Sequence, residues 1–109
     1  MPIRKIVMVR RKQGLTPEQF RHGYETSHSR IANSLFGHLW LSYRRNYLTV
    51  GHCFAGEGET QGADHVGFDA VSEFVLRDAA AEAEMTRIAM ANIAMIKEDE
   101  AKWFDQVNC

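Results

Sequence analysis

Residues 3–35, IRKIVMVRRKQGLTPEQFRHGYETSHSRIANSL, decide the fold. Ile3 to Arg11 is a β-branched run with Val7 and Val9 on one side and Ile6 and Met8 on the other. Apolar side chains on both faces predict a strand that is covered on both. Lys12 to Leu15 is the turn out of it. Thr16 then reads as an N-cap, Pro17 as the first helical residue, and Gln19 stands three positions after the cap. Proline there lacks only a donor with no helical partner, and the Thr/Gln pair satisfies two orphan amides reciprocally. Phe20, Tyr24, Ser27 or His28, Ile31 and Leu35 follow at helical spacing. They predict one helix from Thr16 to about Leu35 with a single apolar face, stopped by Gly37.

Outward from that unit, Trp40 to Phe54 (WLSYRRNYLTVGHCF) is rich in aromatic and β-branched residues and reads as a second strand, with Gly51 a candidate bulge. Residues 55–64 (AGEGETQGAD) read as a loop. Their glycine spacing lacks a basic residue, and Glu57 and Glu59 would repel a phosphate. His65 to Arg77 is the third strand. Val66, Phe68, Ala70, Ser72, Phe74 and Leu76 make its mostly apolar face, while His65, Asp69, Glu73 and Arg77 occupy the other. Asp78 caps an Ala-rich helical segment that runs to about Phe104 with a break near Ala91–Asn92. The remaining residues have room only for a very short fourth strand.

Strand, helix, strand, strand, helix is the ferredoxin-like β-α-β-β-α order: an α+β fold, an antiparallel sheet with both helices on one face, and a short or missing last strand. The other face would be bare in a monomer. Since it carries apolar side chains, a homodimer joined sheet to sheet is expected.

Composition excludes several classes. The 109 residues suit one domain spanning 1–109, and 45% hydrophobic with 25% charged content is that of a folded soluble chain. A net charge of −1 gives no electrostatic case for nucleic acid or an anionic membrane. Arg4, Lys5, Arg10, Arg11 and Lys12 read as solvated flanks of the first strand. Cys53 and Cys109 form no CxxC, as expected of free thiols in a reducing cytoplasm. Met1-Pro2 leads straight into a strand, which argues against a signal peptide, and no apolar run is long enough to span a bilayer.

Candidate chemistry centres on His28, an imidazole among apolar positions, one turn from the phenol of Tyr24. Apolar surroundings favour the neutral ring, which can act as a general base near neutral pH. By spacing alone, a lone histidine on an apolar face is more often a satisfied core residue. Asp69 and Glu73 are four apart on one strand face, roughly 13 Å, too far to share a proton. They either approach His28 across the sheet–helix interface or are solvated charges. Trp40, Tyr43, Tyr47 and Phe74 are either ordinary core or the lining of a pocket for a flat apolar ligand. His22, His38, His52 and His65 read as surface residues, with the lining of a pocket mouth the alternative for His52 and His65. No histidine or cysteine spacing supports a metal site, and no hydrolase, P-loop or dinucleotide fingerprint calls for a cofactor.

The run RKIVMVRRKQGLTPEQFRHGYETSHSRIA, followed by YRRNYL and then FDAVSEFVLRD, resembles the EthD family of dimeric α+β-barrel proteins. The likeness runs over residues 3–78 and more weakly to Asp105. It implies a ferredoxin-like dimer with a cavity between sheet and helices. It maps the family's histidine onto His28, its aromatic residue onto Tyr24, its Asn-Tyr pair onto Asn46 and Tyr47, and its acidic strand positions onto Asp69 and Glu73. Arg30 replaces the usual proline, Ala70 replaces a glycine, and the usual last strand has little sequence left to form it.

Members of that family serve in ether and xenobiotic degradation and in aromatic polyketide tailoring, as cofactor-free decarboxylases, cyclases, dehydratases or oxygenases. The resemblance therefore implies a cofactor-independent enzyme acting on a small aromatic, polyketide-like or xenobiotic molecule. His28 and Tyr24 would move protons, and Asn46, Tyr47, Asp69, Glu73 and Phe74 would bind substrate. A non-catalytic carrier of a hydrophobic metabolite is the alternative, and a cofactor-free monooxygenase a weaker one.

Overall fold

A computed structural model describes residues 1–52, 60–62 and 67–105. The elements run β1 (Ile3–Val9), α1 (Pro17–Gly23), a π-helical turn (Tyr24–His28), α2 (Ser29–Phe36), a 3₁₀ turn (Gly37–Leu39), β2 (Trp40–Tyr47), β3 (Val50–His52), β4 (Thr60–Gly62), β5 (Ala70–Leu76), α3 (Ala79–Ala91) and α4 (Ile93–Trp103). β5 is the centre of a three-stranded antiparallel sheet in the order β1-β5-β2. Its register sets Val9 and Tyr47 on either side of Ala70, and Ile3 and Trp40 on either side of Leu76. The fold is ferredoxin-like α+β.

The period-2 reading of β5 holds. Ala70, Ser72 and Leu76 are fully buried beneath the helices, and Val71, Glu73 and Val75 alternate onto the rear face. In β2 the register shifts between Trp40 and Ser42. This bulge extrudes Leu41 and sets Trp40, Tyr43, Arg45 and Tyr47 together on the helix side. Two apolar clusters fill the space between the layers. Phe20, Tyr24, Val9, Ala70 and Phe104 make one, and Phe36, Leu39, Leu76, Ala81 and Met85 the other.

Several sequence boundaries move. β1 ends at Val9, and Arg11 joins only an isolated antiparallel bridge to Phe104. That bridge is all that the described residues show of a last strand. It is reinforced by the Lys12 amide donating to the Trp103 carbonyl (2.8 Å) and the Asp105 amide to that of Arg10 (2.9 Å). The second strand stops at Tyr47, and Val50–His52 pairs instead with Thr60–Gly62, inside the stretch read as a loop. The third strand begins at Ala70, because Gly67 takes a φ of 85° that extended backbone cannot continue. The rest of the glycine-rich stretch, with Cys53, Cys109 and His65, lies outside the described residues.

The capping predictions hold in detail. Thr16 Oγ1 accepts from the Gln19 amide (3.1 Å), and the Thr16 amide donates to Gln19 Oε1 (2.8 Å). Asp78 Oδ1 accepts from the Ala81 amide (2.9 Å). The helical segment breaks at Asn92, between Ala91 and Ile93.

The first helix departs from its prediction in one way that matters. At Tyr24–His28 it widens into a π turn, closed by the Ser29 amide donating to the Tyr24 carbonyl. One extra residue in a turn advances the buried face by one position. The face read as His28, Ile31 and Leu35 is therefore Ser29, Ala32 and Phe36. His28 is pushed from the middle of the apolar stripe to its border.

Candidate functional site

At that border the π turn presents Ser27 and His28 side by side to α4. His28 Nδ1 lies 3.0 Å from Asp99 Oδ2, and Ser27 Oγ donates to Asp99 Oδ1 at 2.7 Å. Asp99 is only 4% exposed. A carboxylate so far from water is tolerable because both oxygens have partners. The Lys102 ammonium stands 3.9 Å from Oδ1 on a largely exposed side chain and adds little. The His28 ring packs edge-on against Phe104 (4.8 Å between centroids) and Tyr24 (5.8 Å). Among the described residues no hydrogen bond reaches its Nε2.

Deeper under the helices, Tyr24 Oη and Ser72 Oγ are 2.6 Å apart and both buried. Burial pushes the Tyr24 hydroxyl above the ordinary phenol range, although its bond to Ser72 works the other way. Tyr43 and Tyr47 are raised further, again chiefly by burial, then by Tyr24 for Tyr43 and by Glu25 for Tyr47. All three phenols are therefore neutral donors at physiological pH.

A second polar group ties the π turn to β2. The Arg45 guanidinium grips the Glu25 carboxylate through Nε and through a terminal nitrogen (3.0 Å), and Tyr47 Oη donates to Glu25 Oε2 (2.7 Å). Arg45 holds Glu25 below the usual carboxylate range, and Glu25 in turn raises Arg45. Arg45 also lies over the Tyr43 ring, 4.5 Å from its centroid. Beyond Tyr43 the sheet carries a stack of half-buried rings, Tyr43 on Phe74 (4.9 Å) and Trp40 on Phe74 (4.9 Å).

Of the residues singled out by sequence, the structure brings His28, Tyr24 and Tyr47 to one side of the sheet, with Phe74 on that same side. Asn46 and Glu73 are not with them. Both lie on the rear face, where Asn46 Nδ2 donates to the Val71 carbonyl and Glu73 is 3.6 Å from Arg4. The strand parity that aims Phe74 at the helices aims Glu73 away. Asp69 sits just before β5 and braces the exit of β1. It accepts from the Arg11 amide at 2.8 Å and pairs with the Arg11 guanidinium at 3.3 Å.

Sequence reasoning missed Asp99, Ser72, Glu25 and Arg45. One signal for Asp99 was present: Ile96, Asp99 and Trp103 recur at helical spacing, so a lone carboxylate interrupts an otherwise apolar stripe. Among the described residues no group of histidine, cysteine, aspartate or glutamate is arranged to hold a metal, and no helix is long and apolar enough to cross a membrane.

A family model described as the EthD domain matches residues 12–106. The chain is similar in structure to an EthD-like protein from Ralstonia eutropha JMP134, known from a crystal structure. The TM-score is 0.66 at 20% identity, covering 95% of this chain and 82% of that one, a likeness of fold alone. No curated protein matches the chain.

Proposed function

This chain belongs to the EthD domain family, and from that premise we propose a cofactor-independent lyase, cyclase or dehydratase acting on a small aromatic, polyketide-like or xenobiotic molecule. The observation that carries the reading is the state of His28. One ring nitrogen is committed to a carboxylate, the other has no partner among the described residues, and Tyr24 lies edge-on beside it. Such a ring takes a proton from a carbon or hydroxyl next to a carbonyl. The chemistry needs only groups that the chain supplies.

The test uses 1,3-diketones and ortho-hydroxyaryl ketones as probes in D₂O, with loss of the acidic C–H signal followed by NMR. General-base catalysis contributes on the order of 10²–10⁴-fold, so His28→Ala loses at least about 100-fold in exchange rate while circular dichroism stays unchanged. Equal rates in wild type and variant refute the role of His28.

The half-buried stack of Trp40, Phe74 and Tyr43 favours a second reading, a carrier for a flat hydrophobic metabolite. It predicts binding of aryl ketones without chemical change after long incubation. Under either reading the protein works as a cytoplasmic homodimer. Ile6 (52% exposed), Met8 (48%) and Leu41 (57%), with Val71 and Val75 on the rear face of the sheet, support a second copy packing there.

A further inference from the structure

We infer that Asp99 is the positioning residue of this site: it fixes His28 in the tautomer that carries its proton on Nδ1, leaving the Nε2 lone pair as the base. The inference rests on the reading of His28 as the proton-transferring group and adds how that group is oriented.

A carboxylate only accepts hydrogen bonds, so a neutral imidazole 3.0 Å from Asp99 Oδ2 must place its proton on Nδ1. The alternative tautomer would set a lone pair against a buried anion. A solvated carboxylate could swing away from that conflict. Asp99 cannot, because Ser27 Oγ holds its other oxygen at 2.7 Å and the residue is 4% exposed. Ser27 and His28 are adjacent in the chain, and one π turn delivers both to the same carboxylate. Phe104 and Tyr24 flank the ring edge-on, so its plane is fixed as well as its tautomer.

In the reaction a substrate C–H or O–H proton moves to Nε2, and its electron pair stays on the substrate as an enolate or phenolate. The resulting imidazolium has both nitrogens protonated and its charge lies against Asp99. Nε2 then returns the proton to the carbon or leaving oxygen. Asp99 touches no substrate and is not itself protonated.

The experiment is a multiple-bond ¹⁵N–¹H spectrum of histidine-labelled protein at neutral pH, with the His28 signals identified by their loss in His28→Gln. Wild type is expected to show a pyridine-like Nε2 and a protonated Nδ1. A proton on Nε2 in the wild type overturns the inference without any variant. In Asp99→Leu, of similar volume and no acceptor, the proton is expected to move to Nε2, with kcat for diketone exchange down at least about tenfold and KM changed less than about threefold. In Asp99→Asn one oxygen becomes an NH2 donor; with Ser27 Oγ on the remaining oxygen that NH2 faces Nδ1, so the proton is expected to move to Nε2 with kcat reduced as in Asp99→Leu. An unchanged tautomer and kcat in Asp99→Leu overturns the inference. Full turnover in His28→Gln, with the tautomer still moved by Asp99→Leu, removes the proposed chemistry but supports Asp99 as the residue that sets the ring.

Discussion

Gly23 lies directly under the indole of Trp103: a Cβ built on Gly23 falls 2.1 Å from the ring's Cε3 and 2.3 Å from its Cδ2. This contact lets α4 approach the first helix closely enough for Asp99 to reach His28. Gly23→Ala therefore destabilises the protein by about 1–3 kcal/mol, the overlap outweighing the roughly 1 kcal/mol by which alanine favours a helix over glycine. Urea unfolding checks the value. Trp103→Leu should relieve the clash, so the double variant is more stable than the sum of the two single changes.

Tyr24 and Ser72 satisfy one another in the core, 2.6 Å apart. Removing either hydroxyl leaves a buried partner unpaired, so Tyr24→Phe and Ser72→Ala each cost about 1–3 kcal/mol. The double variant leaves neither member of this pair facing a missing partner, loses only the Tyr24 bond to Tyr43, and costs clearly less than the sum. A double-mutant cycle measured by denaturation reads the coupling directly.

Glu25 is depressed below its ordinary 4.5 by Arg45 and Tyr47, so the folded state binds its proton less readily than the unfolded chain does. The stability this contributes is fully present above pH 4.5 and is lost as pH falls through the lower folded value. For a partly exposed pair it amounts to about 1 kcal/mol or less. Unfolding curves of wild type and Glu25→Gln should differ at pH 7 and converge in that acid window.

Thr26 is the exposed residue within the π turn. Deleting it leaves Tyr24 and the present Ser29 four residues apart, the spacing of one α-helical face, so both flanking segments keep their buried sides. The deletion variant is expected to unfold cooperatively but to lose the His28–Asp99 contact, read as loss of the protonated Nδ1 signal. Retention of that signal would show that the π turn does not set the pair.

The rear sheet face offers a further test. Met8 is 48% exposed there and lies opposite Val71. Met8→Lys places a charge in the centre of the proposed dimer contact and should shift sedimentation from dimer to monomer without loss of helix content. A wild-type protein that sediments as a monomer at micromolar concentration would remove the dimer.

Much of the fold was legible because its signals are local. Thr16 and Gln19 cap a helix through atoms three residues apart, and the alternation from Ala70 to Leu76 needs only the pleat of a strand. The break at Asn92 and the cap at Asp78 were readable for the same reason. Within the site only part was visible. His28 and Tyr24 stood out as polar groups in an apolar helical stripe, whereas nothing in the spacing chose between the two faces of β2 for Asn46 and Tyr47, because the bulge after Trp40 sets that parity.

The chain's sequence by itself determined the element order, the helix starts and the side of β5 that faces the helices, since each follows from hydrogen bonds and periodicities spanning a few residues. Tertiary structure alone decided what His28 meets. Its partner Asp99 is 71 residues away, and the extra residue of the π turn rotates the ring out of the core and onto that carboxylate. An α-helical period applied to the same sequence buries His28. Packing against α4 and the sheet selects the wider turn, because it buries Ser29, Ala32 and Phe36 and gives a buried carboxylate two polar partners at once.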